Sequence, residues 1–142
     1  MERIIVSARI ESITAVAAFV DGQLEKRNCD AEIRFQIGMA VEEIFVNIAS
    51  YAYAPGTGEA EIQCEVLENP LRIVIRFLDS GKPFDPLAQE EADTSEEALL
   101  ERTGGLGIFM VRTVMDSVTY SHENGKNILT IMKNCGAAPQ KE

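Results

Sequence analysis

The chain has 142 residues, 46% of them hydrophobic and 25% charged, with a formal net charge of −10. This length builds one complete core rather than two ordinary domains, and the balance is that of a soluble globular protein. The negative charge argues against nonspecific binding to nucleic acid or an anionic membrane, but not against a nucleotide neutralised locally by Mg²⁺ and backbone N–H groups.

The N-terminus, Met1-Glu2-Arg3, leads into a strand pattern over residues 3–8 with no signal-peptide character, and no apolar run approaches the roughly 20 residues of a bilayer span. The expected location is the cytoplasm, with no membrane partner. Ser12 is positioned to cap a first helix with Ile13, Val16, Ala17, Val20 and Leu24 on one face. After Asn28-Cys29-Asp30, a longer helix is predicted over 31–53, with Ile33, Ile37, Ala40, Val41, Ile44 and Ile48 at helical spacing, stopped by Pro55-Gly56-Thr57-Gly58. Within it Asn47 interrupts an apolar run, and Glu43 lies one turn before it on the same face. Such a carboxylate can accept a proton from a hydroxyl nucleophile, and such an amide oxygen is a hard ligand for Mg²⁺. A helix-surface Glu beside a core Asn satisfied by backbone fits the same residues.

Strict alternation over 59–66 turns Ala60, Ile62, Cys64 and Val66 inward. After an Asn69-Pro70 turn, a second strand over 71–78 does the same with Leu71, Ile73, Ile75 and Phe77, so the two read as a hairpin. This strand ends at Asp79-Ser80-Gly81-Lys82-Pro83-Phe84-Asp85-Pro86. A carboxylate at the edge of a core needs a partner, and a ligand bearing N–H donors would serve; Gly81 would let it come close, and the prolines forbid further pairing. The stretch also fits an ordinary chain reversal.

Residues 87–102 are acidic and poor in apolar side chains, which suits either a mobile flap with one helical turn after Thr94 or a solvated loop. Thr103-Gly104-Gly105-Leu106-Gly107 then opens a helical pattern beginning at Ile108, and an open helix N-terminus suits a phosphate chain. The glycines match neither a Walker loop nor the dinucleotide fingerprint. A closing hairpin is predicted from 117–122 and 127–133 through Asn124-Gly125, with His122 at the surface and Cys135 opening a disordered tail, 135–142. Cys29, Cys64 and Cys135 form no Cys-x-x-Cys pair, so neither a disulfide framework nor a zinc site is expected.

Glu-x-x-x-Asn on a helix, Asp-x-Gly at a strand end and Gly-Gly-x-Gly opening a helix, in that order, resemble the GHKL superfamily of ATP-binding domains. More closely, Asp79 to Pro86, Gly104-Gly105-Leu106-Gly107-Ile108 and Val114-Met115-Asp116-Ser117-Val118-Thr119-Tyr120 look like the anti-sigma factor serine/threonine kinases, over nearly the whole chain. The resemblance implies a Bergerat-type α+β two-layer sandwich: a mixed, mostly antiparallel sheet covered on one face by about three helices. A single domain would span 1–134, with 87–103 as a flexible ATP lid. It further implies ATP and Mg²⁺ as cofactors and transfer of a phosphoryl group to a serine of a small STAS-type anti-sigma factor antagonist. A sigma factor would be a second partner and the chain a homodimer. By the same resemblance Glu43 is the general base, Asn47 the Mg²⁺ ligand, Asp79 the acceptor for the adenine amino group and Gly81 a wall of the base pocket. Thr130 supports adenine from the last strand, Thr103 and Gly104 form the lid hinge, and Gly105 and Gly107 approach the phosphates; Phe84, Leu106 and Ile108 complete the nucleotide-binding set. Lys82 and Arg102 are available cations without an assigned phosphate. The alternative is a partner-switch module that binds ATP or ADP and sequesters a regulator with little transfer. One departure stands out: these kinases often carry a histidine shortly after the motif asparagine, where this chain has Ser50-Tyr51-Ala52-Tyr53. The absence of a dimerising helical hairpin with a phosphoacceptor, and the place of His122, argue against a sensor histidine kinase.

Overall fold

The computed structural model describes residues 1–88 and 105–135. Strand β1 (Glu2–Ser7) passes through a short 3-10 turn (Ile10–Ser12) into helices α1 (Ile13–Lys26) and α2 (Ala31–Asn47), and a π-helical turn (Ile48–Ala52) follows. Strands β2 (Glu59–Leu67) and β3 (Arg72–Asp79), a 3-10 turn (Pro86–Ala88), helix α3 (Gly105–Val114) and strands β4 (Ser117–Glu123) and β5 (Lys126–Asn134) complete the order.

The strands form one sheet in the order β1-β2-β3-β5-β4, antiparallel at every pairing. Side chains alternate between the faces of a strand, so the register decides which of them share a layer. Ile62, Phe77, Leu129 and Tyr120 make one cross-strand row, and Cys64, Ile75, Ile131 and Val118 the next. Those rows meet Val16, Val20 and Leu24 of α1, Ile37, Ala40, Val41, Ile44 and Phe45 of α2, and Val111 of α3 in a single buried cluster. The opposite face carries Arg3, Gln63, Arg76, Thr130 and Thr119 as a polar row, with Arg3 paired to Glu61 at 3.2 Å and Arg76 to Glu65 at 3.0 Å. One apolar face and one polar face on the same sheet explain the two layers. This is the α+β sandwich that the resemblance implies, with three helices on one side among the described residues, although the sheet there is wholly antiparallel rather than mixed.

Several boundaries differ from the sequence reading for identifiable reasons. Ser12 closes the 3-10 turn and makes no side-chain cap hydrogen bond, so it does not act as the expected cap of α1. The helix predicted over 31–53 is α-helical to Asn47 only; the apolar spacing runs on, but the backbone widens into the π-turn and releases Tyr53. Helix α3 begins at Gly105, so Gly105 and Gly107 lie inside its first turn rather than before it. Cys135, expected in a disordered tail, is buried, and its N–H donates to Leu71 O at 2.9 Å, which extends the β5 side of the sheet by one residue. The Asn124-Gly125 hairpin forms as predicted, both residues having positive φ, 54° and 76°, as a tight two-residue turn requires. The lid segment 87–103, from residue 89 onward, and the tail from residue 136 lie outside the described residues.

Candidate functional site

Asp79 is the last residue of β3 and falls in the core-facing phase, yet it is only 6% exposed. Its Oδ1 accepts two hydrogen bonds of 2.9 Å, one from the Gly81 N–H and one from Asn127 Nδ2. Among the described residues nothing donates to Oδ2, and no buried side-chain polar atom there is left unsatisfied, so Oδ2 is open at the surface of the site. The following loop is held against the end of α2: Lys82 N donates to Ala52 O at 2.9 Å, and a Cβ on Gly81 would fall 2.2 Å from that same oxygen. Glycine stands at 81 because of this close approach. Tyr53, released by the π-turn, locks the other side, its hydroxyl accepting from Ser80 N at 2.7 Å and donating to Glu59 O at 2.6 Å. π-Turns recur at functional sites because they redirect helix carbonyls, and here the redirected carbonyl is that of Ala52.

Glu43 and Asn47 sit one turn apart on α2, both half-buried. The Glu43 carboxylate lies directly over the first turn of α3, where a Cβ on Gly107 would be 1.8 Å from its Oε2. Burial, and then the neighbouring Glu42 charge, raise the Glu43 pKa above the ordinary carboxylate range. The Asn47 side-chain amide makes no hydrogen bond among the described residues, so its oxygen is available for a cation. Glu43 thus lies against the first turn of α3, and the first-turn N–H groups of a helix with its positive dipole end favour an anion.

The fold therefore brings Glu43, Asn47, Gly107 and the start of α3 to one side of the α2 C-terminal half, and Asp79 and Gly81 to its π-turned end. Gly105 opens α3, and the Ile108 side chain is buried, which leaves its backbone as the part able to meet a ligand. Phe84 is 57% exposed, and its N–H donates to Asn127 Oδ1 at 3.2 Å. Thr103, Gly104, Arg102 and the Leu106 side chain lie outside the described residues, and Lys82 is exposed.

Thr130 is not brought to this cluster. It occupies the polar row between Arg76 and Thr119, on the face away from the helices. The side chain that meets Asp79 from the last strand is Asn127, its direct cross-strand neighbour. Position parity explains the correction: Asn127, Leu129 and Ile131 point inward, so Thr130 cannot. Asn127, Tyr53 and Tyr120 were not found from the sequence, although an asparagine in the inward phase of an otherwise apolar strand was a readable signal.

The layered fold and this cluster define an ATPase-type domain. Residues 6–133 match the histidine kinase-like ATPase domain family, and the chain belongs to it. Among similar proteins is the serine-protein kinase RsbW of Listeria monocytogenes, 30% identical over 95 residues, 64% of this chain and 60% of that protein. The serine-protein kinase RsbW of Staphylococcus aureus is 29% identical over 129 residues, 87% of this chain and 80% of its own length. The chain thus spans less than two thirds of the Listeria relative. In three dimensions it resembles the Acinetobacter baumannii histidine kinase AdeS, with a TM-score of 0.52, 15% identity, and coverage of 96% of this chain and 70% of that one. At that identity the likeness speaks to fold. No helix among the described residues is long and apolar enough to cross a membrane.

Proposed function

We propose that this protein is an ATP-dependent serine/threonine kinase that phosphorylates a serine of a small STAS-type anti-sigma factor antagonist, and that it sequesters a sigma factor when the antagonist is phosphorylated. The observation that carries the reading is the seat of Glu43, a half-buried carboxylate with a raised pKa lying on the first turn of α3 at Gly107. Support comes also from family membership and from the kinase names borne by the relatives. In this reading Asp79 accepts the adenine amino group at Oδ2, and Gly81 and Phe84 border the base. Gly105, Gly107 and Ile108 direct backbone N–H groups to the phosphates.

Mg²⁺ would be held by the Asn47 amide oxygen, a hard donor that no described residue engages. When bound it supplies neutralisation of phosphate charge. Glu43 takes the proton of the antagonist's serine hydroxyl as that oxygen bonds to the γ-phosphorus and the bond to the β–γ bridging oxygen breaks, releasing ADP. A carboxylate whose pKa is raised toward the working pH is the better base for this task. Phosphoryl transfer otherwise needs positioning more than covalent help. The protein works in the cytoplasm as a homodimer.

The test is a transfer assay with radiolabelled ATP and Mg²⁺, using the STAS-domain proteins of the same genome as acceptors. Glu43→Gln should keep ATP affinity and lower transfer by about two to four orders of magnitude. Transfer by the variant at the parent rate would refute the assignment. Binding of ATP by the parent with no acceptor phosphorylated would leave a nucleotide-dependent partner switch in place of an enzyme.

A further inference from the structure

Asn127 is 7% exposed, and its side chain fills every hydrogen-bonding position it has. Nδ2 donates to Asp79 Oδ1 and to Lys82 O, both at 2.9 Å, while Oδ1 accepts from Phe84 N at 3.2 Å and from the Tyr120 hydroxyl. A flipped amide would set its oxygen against two acceptors and its NH₂ against the Phe84 N–H. The orientation is therefore forced, and so is the face of Asp79 that it covers. Together the Gly81 N–H and Asn127 Nδ2 occupy both lone pairs of Oδ1. Only Oδ2 remains.

We infer that Asn127 is a positioning residue that sets base selectivity, by sealing one oxygen of Asp79 so that a single acceptor faces the nucleotide. This rests on the proposed ATP reading. Guanine offers two parallel donors, N1–H and the 2-amino group, which pair best with both oxygens of a carboxylate at once. Adenine offers one exocyclic amino group on its Watson–Crick edge, and a lone Oδ2 suffices for it. The sealed Oδ1 therefore removes the bidentate guanine mode and keeps the adenine one. The same amide ties Lys82 and Phe84 to Asp79, so the loop bordering the base and the acceptor move as one piece.

The experiment is calorimetric titration of the full chain and of Asn127→Ala and Asn127→Asp with Mg²⁺-ATP and Mg²⁺-GTP across pH. Loss of a hydrogen bond to a charged group should weaken ATP binding by the alanine variant about tenfold or more. GTP binding should hold or improve, so the ATP-to-GTP preference falls by at least about tenfold. The isosteric aspartate sets two carboxylates against each other, and one of them must take up a proton for the pair to persist. Its ATP affinity relative to the parent should therefore recover as pH falls from about 8 to about 5, since the protonated form restores a donor to Oδ1. A merely structural role would weaken ATP and GTP together and leave their ratio at the parent value. Variants that bind both nucleotides like the parent, or lose both in equal proportion at every pH, would overturn the inference. So would failure of both variants to fold, which would make Asn127 a residue of the scaffold. If the parent binds ATP in either case, the kinase reading survives; if it binds neither nucleotide, that reading fails first and this one with it.

Discussion

Replacing Gly81 by alanine isolates how closely the base loop is pressed onto α2. The added Cβ would fall 2.2 Å from Ala52 O, 2.6 Å from Ala52 C and 2.7 Å from Ala52 Cβ, where ordinary contact begins at 3.4 Å. Two of these atoms are backbone, so no side chain can swing aside, and the loop must retreat by more than about 1 Å to restore ordinary packing. Gly81 is not among the residues with positive φ, so the strain comes from contact alone. The retreat stretches the 2.9 Å Lys82–Ala52 backbone hydrogen bond beyond use and loosens the Gly81 bond to Asp79. Those losses are worth about 1 and about 1.5–3 kcal/mol, while the stiffer unfolded chain returns about 0.4–1 kcal/mol. The net destabilisation is about 2–3 kcal/mol, a fall in melting temperature of about 6–12 °C for a chain of this size. Thermal unfolding and ATP titration should both register it, because Asp79 moves with the loop. A melting point within about 2 °C of the parent, with unchanged ATP affinity, would refute the close-approach argument.

Gly107→Ala should behave in the opposite way. Its Cβ would meet the tip of the Glu43 side chain at 1.8 Å, which can swing away, and alanine suits a helix better than glycine. We expect an unchanged or higher melting temperature with a large fall in transfer; a variant that transferred normally would dissociate Glu43 from the chemistry. Because the Glu43 pKa is raised, the native fold binds its proton more tightly than the unfolded chain does. That stabilising term is present at acid pH and is lost as pH rises through the native value. Glu43→Gln, permanently neutral, should gain stability on the parent as pH rises from about 4 to about 7, and a pH-independent difference would contradict this. Burial, with the Cys29 thiol beside them, pushes Cys64 up to about 11 and Cys135 up to about 12. Thiol titration of the native protein at mildly alkaline pH should be slow, with all three cysteines reacting once denatured; rapid native labelling of Cys64 would contradict the burial.

Period and turn chemistry made most of the fold legible. The inward residues of β2, β3 and β5 were readable from alternation because each strand has one dry face, and the Asn124-Gly125 turn from its need for positive φ. The end of α2 was not, since a π-turn keeps apolar side chains at nearly helical spacing while moving the carbonyls. In the candidate site, motif order pointed to Glu43, Asn47, Asp79 and Gly81. Thr130 was misplaced by one step of parity, and one step reverses the face. Asn127 stayed hidden because its partners, at 79, 82, 84 and 120, come together only when the sheet closes.

Strand β3 runs from Arg72 to Asp79, and the turn that feeds it, at Asn69-Pro70, lies at the far end of the sheet from the carboxylate. At about 3.3 Å per residue the two ends are separated by more than about 20 Å of rigid ladder. A reporter group, affinity tag or inserted domain grafted into the β2–β3 turn would therefore ride on the protein at a distance from the candidate site. That turn is the place from which to watch partners come and go without touching the groups that hold the base.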